Sequence, residues 1–317
     1  MLKSKKFYLS LGICFLMVVF AVNNKKYTDI TFQGIVLWAV SVVPSVFPYF
    51  VFTAILTSLG TVSKLASKQG KITKPLFGCG GLSGYALLMS IIGGYPTGSK
   101  ITSELYENRL ISYDEAVKMS AFCTSSSPLF IIGTIGGVLN NTRLAVMILI
   151  AHFVSVILSG IILKGKSGEI KNSILTQNNI DNVIYEAVYG SIISLLVLGG
   201  IITLYYVVTE MLFDVGILTL PLNILTLIFG DSLTSKAVIS GLFECTKGIK
   251  LVALSGHFLT VPLIGFLISF GGFSVITQSL IFLKRAKIKT ARFMFSKLLQ
   301  AVLTFIILII FYFLKFY

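Results

Sequence analysis

Charged residues are scarce in this chain of 317 residues, only 12% of the total, and acidic ones are the rarer, with 12 Asp+Glu against 26 Lys+Arg. So little charge leaves no material for a separate soluble domain, and no polar segment exceeds about 20 residues. There are only two histidines, His152 and His257, each alone in an apolar run. That excludes a histidine-based metal cluster, and no cofactor motif takes its place. The four cysteines, Cys14, Cys79, Cys123 and Cys245, form no CxxC and sit among apolar or small residues. They read as small core residues rather than redox or metal ligands. No Ser-His-Asp arrangement and no acid–base pair lies at reacting distance in sequence, so an enzyme is not expected.

What is abundant is apolar: 55% of residues, with a mean hydropathy of +0.92. Repeated apolar stretches of about 20 residues make this an all-α polytopic membrane protein, a single membrane domain over 1–317. The net charge of +14 comes from basic residues beside the apolar segments. Orientation and contact with anionic membrane lipid explain it better than nucleic acid, which is not an expected partner.

The first apolar run, Phe7 to Val22, follows Lys3, Lys5 and Lys6. It lacks a small-x-small cleavage site and reads as a retained first helix rather than a signal peptide. A second helix is expected from Gly34 to about Leu59, kinked at Pro44 and Pro48, followed by a basic loop with Lys64, Lys68, Lys71 and Lys74. The glycines of 78–98 suggest a re-entrant hairpin of two short half-helices. Residues 100–118 suggest an interfacial helix with a Ser112-x-x-Glu115 capping box. Further helices are expected at about 116–139, 143–163, 184–209, 215–230, 237–256, 258–283 and 298–314, with a polar linker at 164–182 and a basic loop from Lys284 to Lys297.

Four breaks stand out inside this apolar sequence. Gly93-Gly94-Tyr95-Pro96-Thr97-Gly98-Ser99-Lys100 and Thr124-Ser125-Ser126-Ser127-Pro128 form one pair. Gly241-Leu242-Phe243-Glu244-Cys245-Thr246-Lys247-Gly248 and Gly271-Gly272-Phe273-Ser274-Val275-Ile276-Thr277-Gln278 form a second, about 150 residues later. Broken backbone inside a bilayer is tolerated where protein or a water-filled cavity satisfies it. Paired breaks in two halves point to a transporter-like site near the midplane. The expected fold is therefore two inverted repeats, 30–163 and 184–283, each with a re-entrant hairpin and a broken transmembrane helix, followed by a C-terminal helix at 298–314. Placing the basic clusters inside gives a multi-pass protein of the cell membrane with its N-terminus cytoplasmic and its C-terminus outside.

Each break has a bland and a functional reading. The 93–100 segment is not a P-loop, because Ser99 intervenes before Lys100 and no strand precedes it. It is either a packing turn with Lys100 reaching the surface, or a hairpin exit where Gly94, Tyr95, Pro96, Gly98 and Lys100 meet a ligand. The hydroxyls of Thr124, Ser125 and Ser126 either satisfy carbonyls freed by Pro128 or contact a solute or ion. Glu244, a carboxylate at membrane depth, faces either a cavity or a cation such as Lys247 or Lys250. Thr246, Ser274 and Gln278 either line that cavity or accompany glycine-mediated helix packing. Glu210 and Asp214 read as ordinary interface residues.

Together these motifs resemble the YlbJ family of sporulation integral membrane proteins, within the nucleoside recognition, or Gate, group. The resemblance rests on Pro44-Ser45-x-x-Pro48, Gly94-Tyr95-Pro96-x-Gly98-x-Lys100, Thr124-Ser125-x-x-Pro128-Leu129-Phe130-Ile131, Gly241-x-x-Glu244-x-Thr246-x-Gly248 and Gly271-Gly272-x-Ser274-Val275-x-x-Gln278. It covers most of the chain, from about Val43 to Gln278. It implies a role in building the spore, its cortex in particular, in an endospore-forming bacterium, with other sporulation membrane proteins as partners. By analogy with nucleoside carriers in the same group it implies a small polar solute held by the hairpin tips and broken helices and moved by alternating access. The rival expectation is a scaffold for cortex or coat assembly that transports nothing. Ser127 departs from the pattern, standing where glycine is expected before the proline, which argues against close backbone approach there.

Overall fold

A computed structural model describes residues 5–59, 61–165 and 182–314. Most of the expected linker and Lys3 lie outside these residues. Every regular element among them is helical: α1 (Lys5–Val22), α2 (Asn24–Leu37), α3 (Val43–Ser58), α4 (Thr61–Phe77), α5 (Gly81–Gly93), α6 (Thr97–Glu107), α7 (Tyr113–Phe122), α8 (Gly136–Leu139), α9 (Thr142–Ile162), α10 (Val183–Asp214), α11 (Thr219–Phe229), α12 (Ser232–Phe243), α13 (Cys245–Ser255), α14 (Thr260–Phe270), α15 (Gly272–Leu283) and α16 (Thr290–Phe313). Two π-helical turns, Trp38–Val42 and Leu129–Ile135, interrupt the longer runs.

Among the described residues, α9, α10, α14–α15 taken together and α16 are long and apolar enough to cross a membrane. The number rises to six if the bent pairs α1–α2 and α4–α5 each count as one span, bending by 104° and 92°. The 32 residues of α10 extend about 48 Å, more than the roughly 30 Å of a hydrocarbon core. Large apolar side chains such as Ile150, Val154, Leu196, Leu204, Ile306 and Ile310 are exposed along α9, α10 and α16. In lipid they face a matching solvent and need no protein cover.

Several boundaries differ from the sequence reading. The lysines at 64–74 lie on helix α4, not in a loop. The glycine-rich 78–98 segment holds one full helix, α5, flanked by a bend at 78–80 and a turn at 94–96, rather than two half-helices. The expected interfacial helix at 100–118 is two helices, α6 and α7, both with largely buried faces. The capping box is half formed. The Ser112 hydroxyl accepts from Glu115 N at 3.1 Å, but the Glu115 carboxylate accepts from Gly80 N at 2.6 Å and so ties α7 to the start of α5. Finally, Arg292 and Lys297 belong to α16 rather than to a basic loop.

The core has two main parts. One gathers α5, α6 and α7 against α15 and the start of α16, with Phe77 stacked on Phe122 at 4.2 Å between ring centres. The other gathers α9, α12, α13, α14 and the end of α16. Helix α16 therefore runs through both, and its buried face is a stripe of Phe293, Lys297, Gln300, Thr304 and Leu308. That spacing of three and four residues puts all five on one side of the helix.

Candidate functional site

All four breaks are real interruptions of helix, and they meet. The first falls between α5 and α6, where Gly94 has φ of 70° and Tyr95-Pro96 is a cis bond. The second is a non-helical stretch over 123–127, between α7 and the π turn. The third is Glu244, a single extended residue between α12 and α13. The fourth is Gly271, left-handed between α14 and α15.

The breaks pack in pairs by close backbone approach. A Cβ on Gly98 would lie 1.6 Å from the Cys123 carbonyl oxygen, and one on Gly94 would lie 3.1 Å from Ser127 N. Backbone therefore does come close at Ser127, with the glycine supplied by the facing segment. In the second pair, a Cβ on Gly248 would lie 2.1 Å from Gly241 Cα, and one on Gly272 would lie 2.8 Å from Gly241 O.

Between the pairs lies a cavity of about 80 Å³. Gly94, Tyr95, Ser126, Glu244, Thr246 and Gln278 line it, with apolar walls from Val46, Phe130, Ile202 and Val275. These are six of the residues singled out from sequence. The others stand behind or apart. Thr124 and Ser125 are buried, and Ser125 N donates to Ser90 Oγ at 3.0 Å. Ser274 Oγ accepts from Gln278 Nε2 at 3.0 Å, so it orients a lining side chain. Pro96 and Gly98 start α6. Lys100 lies elsewhere, with its ammonium 4.5 Å from the centre of the Phe50 ring and 3.9 Å from Glu104. It borders a second, larger cavity with Glu107, Glu186 and Arg285.

Glu244 is only 3% exposed. It is paired with neither Lys247 nor Lys250. Its carboxylate caps α13, accepting from Lys247 N at 2.7 Å and from Thr246 N at 3.3 Å. The negative charge thus sits at a helix N-terminus, where free amides and the helix dipole favour it. The Lys247 side chain turns away and donates to Glu210 at 2.5 Å. Asp214 likewise accepts from Lys26 and, at 2.7 Å, from the Tyr27 hydroxyl, joining the end of α10 to α2.

Two buried groups escaped the sequence reading. His152 of α9 is fully buried and links the 123–127 stretch to the end of α14: Nε2 accepts from Ser126 N at 3.0 Å, which leaves the ring hydrogen on Nδ1 to donate to Ser269 Oγ at 2.7 Å. Ser269 continues to Thr304 at 2.7 Å, and Thr304 to Ser155 at 2.8 Å. The second is Lys297, 0% exposed, whose ammonium donates to Tyr95 Oη at 2.7 Å, Gln300 Oε1 at 2.6 Å and Thr124 O at 3.2 Å. The signal for it was present: Lys297, Gln300 and Thr304 form a polar stripe on an otherwise apolar helix, which in a membrane segment marks an interior face.

The chain is 28% identical, over an alignment of 300 residues, to the sporulation integral membrane protein YlbJ of Bacillus subtilis (strain 168), with 85% of this chain and 73% of that protein covered. The likeness supports its assignment to the YlbJ family. For this chain, no family model matches and no solved structure matches. This likeness and the apolar helices together support an integral, multi-pass membrane protein in a lipid environment. The relative's name describes a sporulation protein of the membrane and no enzyme.

Proposed function

We propose that this chain is a sporulation membrane protein of the Gate type, needed for forming the spore and its cortex, that binds or moves a small polar solute. The carrying observation is convergence. Four helix breaks, distant in sequence, surround one cavity that presents a buried carboxylate, a hydroxyl and an amide from Glu244, Thr246 and Gln278. Irregular backbone around a polar cavity is the arrangement by which membrane carriers hold solutes. The proposed mechanism is alternating access, with 30–163 and 184–283 as inverted repeats that rock about the cavity, the N-terminus in the cytoplasm and the C-terminus outside. At about 80 Å³ the cavity fits an ion or a few waters, well below the roughly 300 Å³ at which pockets for drug-sized ligands begin. A nucleoside-sized solute requires the two pairs of breaks to part.

That small volume, and the use of Glu244 as a cap, favour the second reading, a scaffold for cortex or coat assembly whose breaks serve packing alone. Thermal stability in detergent separates the two. The protein is melted against nucleosides, nucleobases, peptidoglycan precursors and metal ions, beside Glu244→Gln. A carrier gains melting temperature with one class, and the gain is lost in the variant. A flat response from folded protein rejects solute binding and leaves the scaffold.

A further inference from the structure

We infer that Lys297 is a tethered cation filling an ion site built by the ends of two broken helices. The carbonyls around it are ones that helix geometry has released. Thr124 O would ordinarily accept from the residue four positions on, but that residue is Pro128, which has no N–H. The chain is non-helical there, and the Lys297 ammonium takes the oxygen instead. Ala121 O, in the last turn of α7, accepts from Gln300 Nε2 at 2.5 Å, and Gln300 in turn holds the ammonium through its own oxygen. On the far side, the Tyr95 hydroxyl accepts from Lys297 and lies 3.4 Å from both Ile268 O and Ser269 O, at the C-terminal end of α14.

The C-terminal ends of two helices, one from each pair of breaks, are thus linked to one buried Lys297 amine, α7 through Gln300 and the Thr124 carbonyl just beyond it, α14 through the Tyr95 hydroxyl. None of the ion pairs among the described residues includes Lys297. Its counter-charge is the carbonyl and hydroxyl oxygen set itself. Half-helix C-termini and unwound carbonyls of this kind are what coordinate monovalent ions at broken membrane helices. A chain-borne ammonium in that place compensates both termini without an ion from solution. If the chain is a carrier, as proposed above, no sodium ion is needed at this point to assemble its site. The inference itself concerns the architecture and is tested without any solute.

The test is melting temperature in detergent at fixed ionic strength, with sodium, potassium, methylammonium or choline chloride as the salt, for the parent protein and Lys297→Ala. The parent is expected to melt at the same temperature in all four. Lys297→Ala is expected to lose roughly 5 to 15 °C in choline and to recover, saturably, in sodium or methylammonium, whose ions are small enough to enter. A parent stabilised selectively by sodium overturns the inference, because the site would then still need an ion. A variant that no salt restores, or that never folds in any of them, also overturns it. A variant as stable as the parent in choline does the same. The solute panel can fail while this experiment succeeds, and the reverse, so the two readings fall separately.

Discussion

Gly98→Ala is the sharpest test of how the breaks pack. The added methyl would sit 1.6 Å from the Cys123 carbonyl oxygen, 2.8 Å from its carbon and 2.7 Å from Ser90 Cβ. Ordinary contact needs about 3.5 Å, so α6 and the 123–127 stretch must separate by about 2 Å, backbone against backbone. In favour of the variant stand about 1 kcal/mol of helix propensity and about 0.8 kcal/mol of extra apolar burial. Against it stand overpacking strain at or beyond the top of the usual 1–3 kcal/mol and the loosening of the hydrogen bonds that join the same stretch to Ser90, His152 and Lys297, about 1 kcal/mol each. The net expectation is a loss of about 4 kcal/mol, or roughly 8–16 °C in melting temperature at the roughly 2–4 °C per kcal/mol of large domains. Gly200→Ala on α10 is the control, since nothing lies within 4 Å of its Cβ position, and it should gain up to about 1 kcal/mol. Melting both by intrinsic fluorescence in one detergent gives the answer. A Gly98→Ala protein melting within about 2 °C of the parent would refute the close approach of α6 to Cys123.

Two further predictions concern other parts of the chain. His152→Ala should cost about 2–4 kcal/mol by leaving Ser126 N–H and Ser269 Oγ without their partner, and combining it with Ser269→Ala should add much less than the two separate losses. Fully additive melting-temperature losses would deny the bridge. The Thr234 hydroxyl, with the amides of Thr234 and Leu233, holds the Asp231 carboxyl at the start of α12 below the usual carboxylate range. A lowered folded pKa contributes stability above the unfolded value and loses it as pH falls through the folded one. The parent's advantage over Asp231→Asn should therefore be largest at neutral pH and shrink below about pH 4; an advantage that is flat with pH would contradict this.

The breaks were legible in the sequence because glycine, proline and clustered hydroxyls interrupt helix for reasons local to the chain. Their convergence was suggested by the repeated pairing, and Glu244 was singled out by its cost in an apolar segment. Of the two alternatives the cavity holds and the lysine does not, since nothing in sequence says that a carboxylate one residue before a helix will serve that helix's own amides rather than a lysine three or six positions on. Residues 64–74 read as a loop because charge was weighed over spacing, although Lys64, Lys68 and Lys71 recur at the period of a helix. Lys297 was lost inside a run of basic residues from Lys284. The stripe it forms with Gln300 and Thr304 marked an interior face; what that face would meet is tertiary information. Lys100, the most conspicuous charge in the first break, is turned by α6 away from the central cavity and stays buried against Phe50 and Glu104.

The way Glu244 is held has a consequence for anything that enters the cavity. Each carboxylate oxygen has room for two donors; the two amides of α13 occupy one place on each, and the Thr246 hydroxyl takes another. What remains is acceptor capacity only, so the group greets a visiting N–H, O–H or cation and repels a second anion. A guest that takes the remaining places leaves the first turn of α13 intact, whereas one that delivers a proton weakens the grip on those same amides. Occupancy by a donor and occupancy by a proton are therefore mechanically different events at one residue, the first silent toward the helix and the second loosening its end.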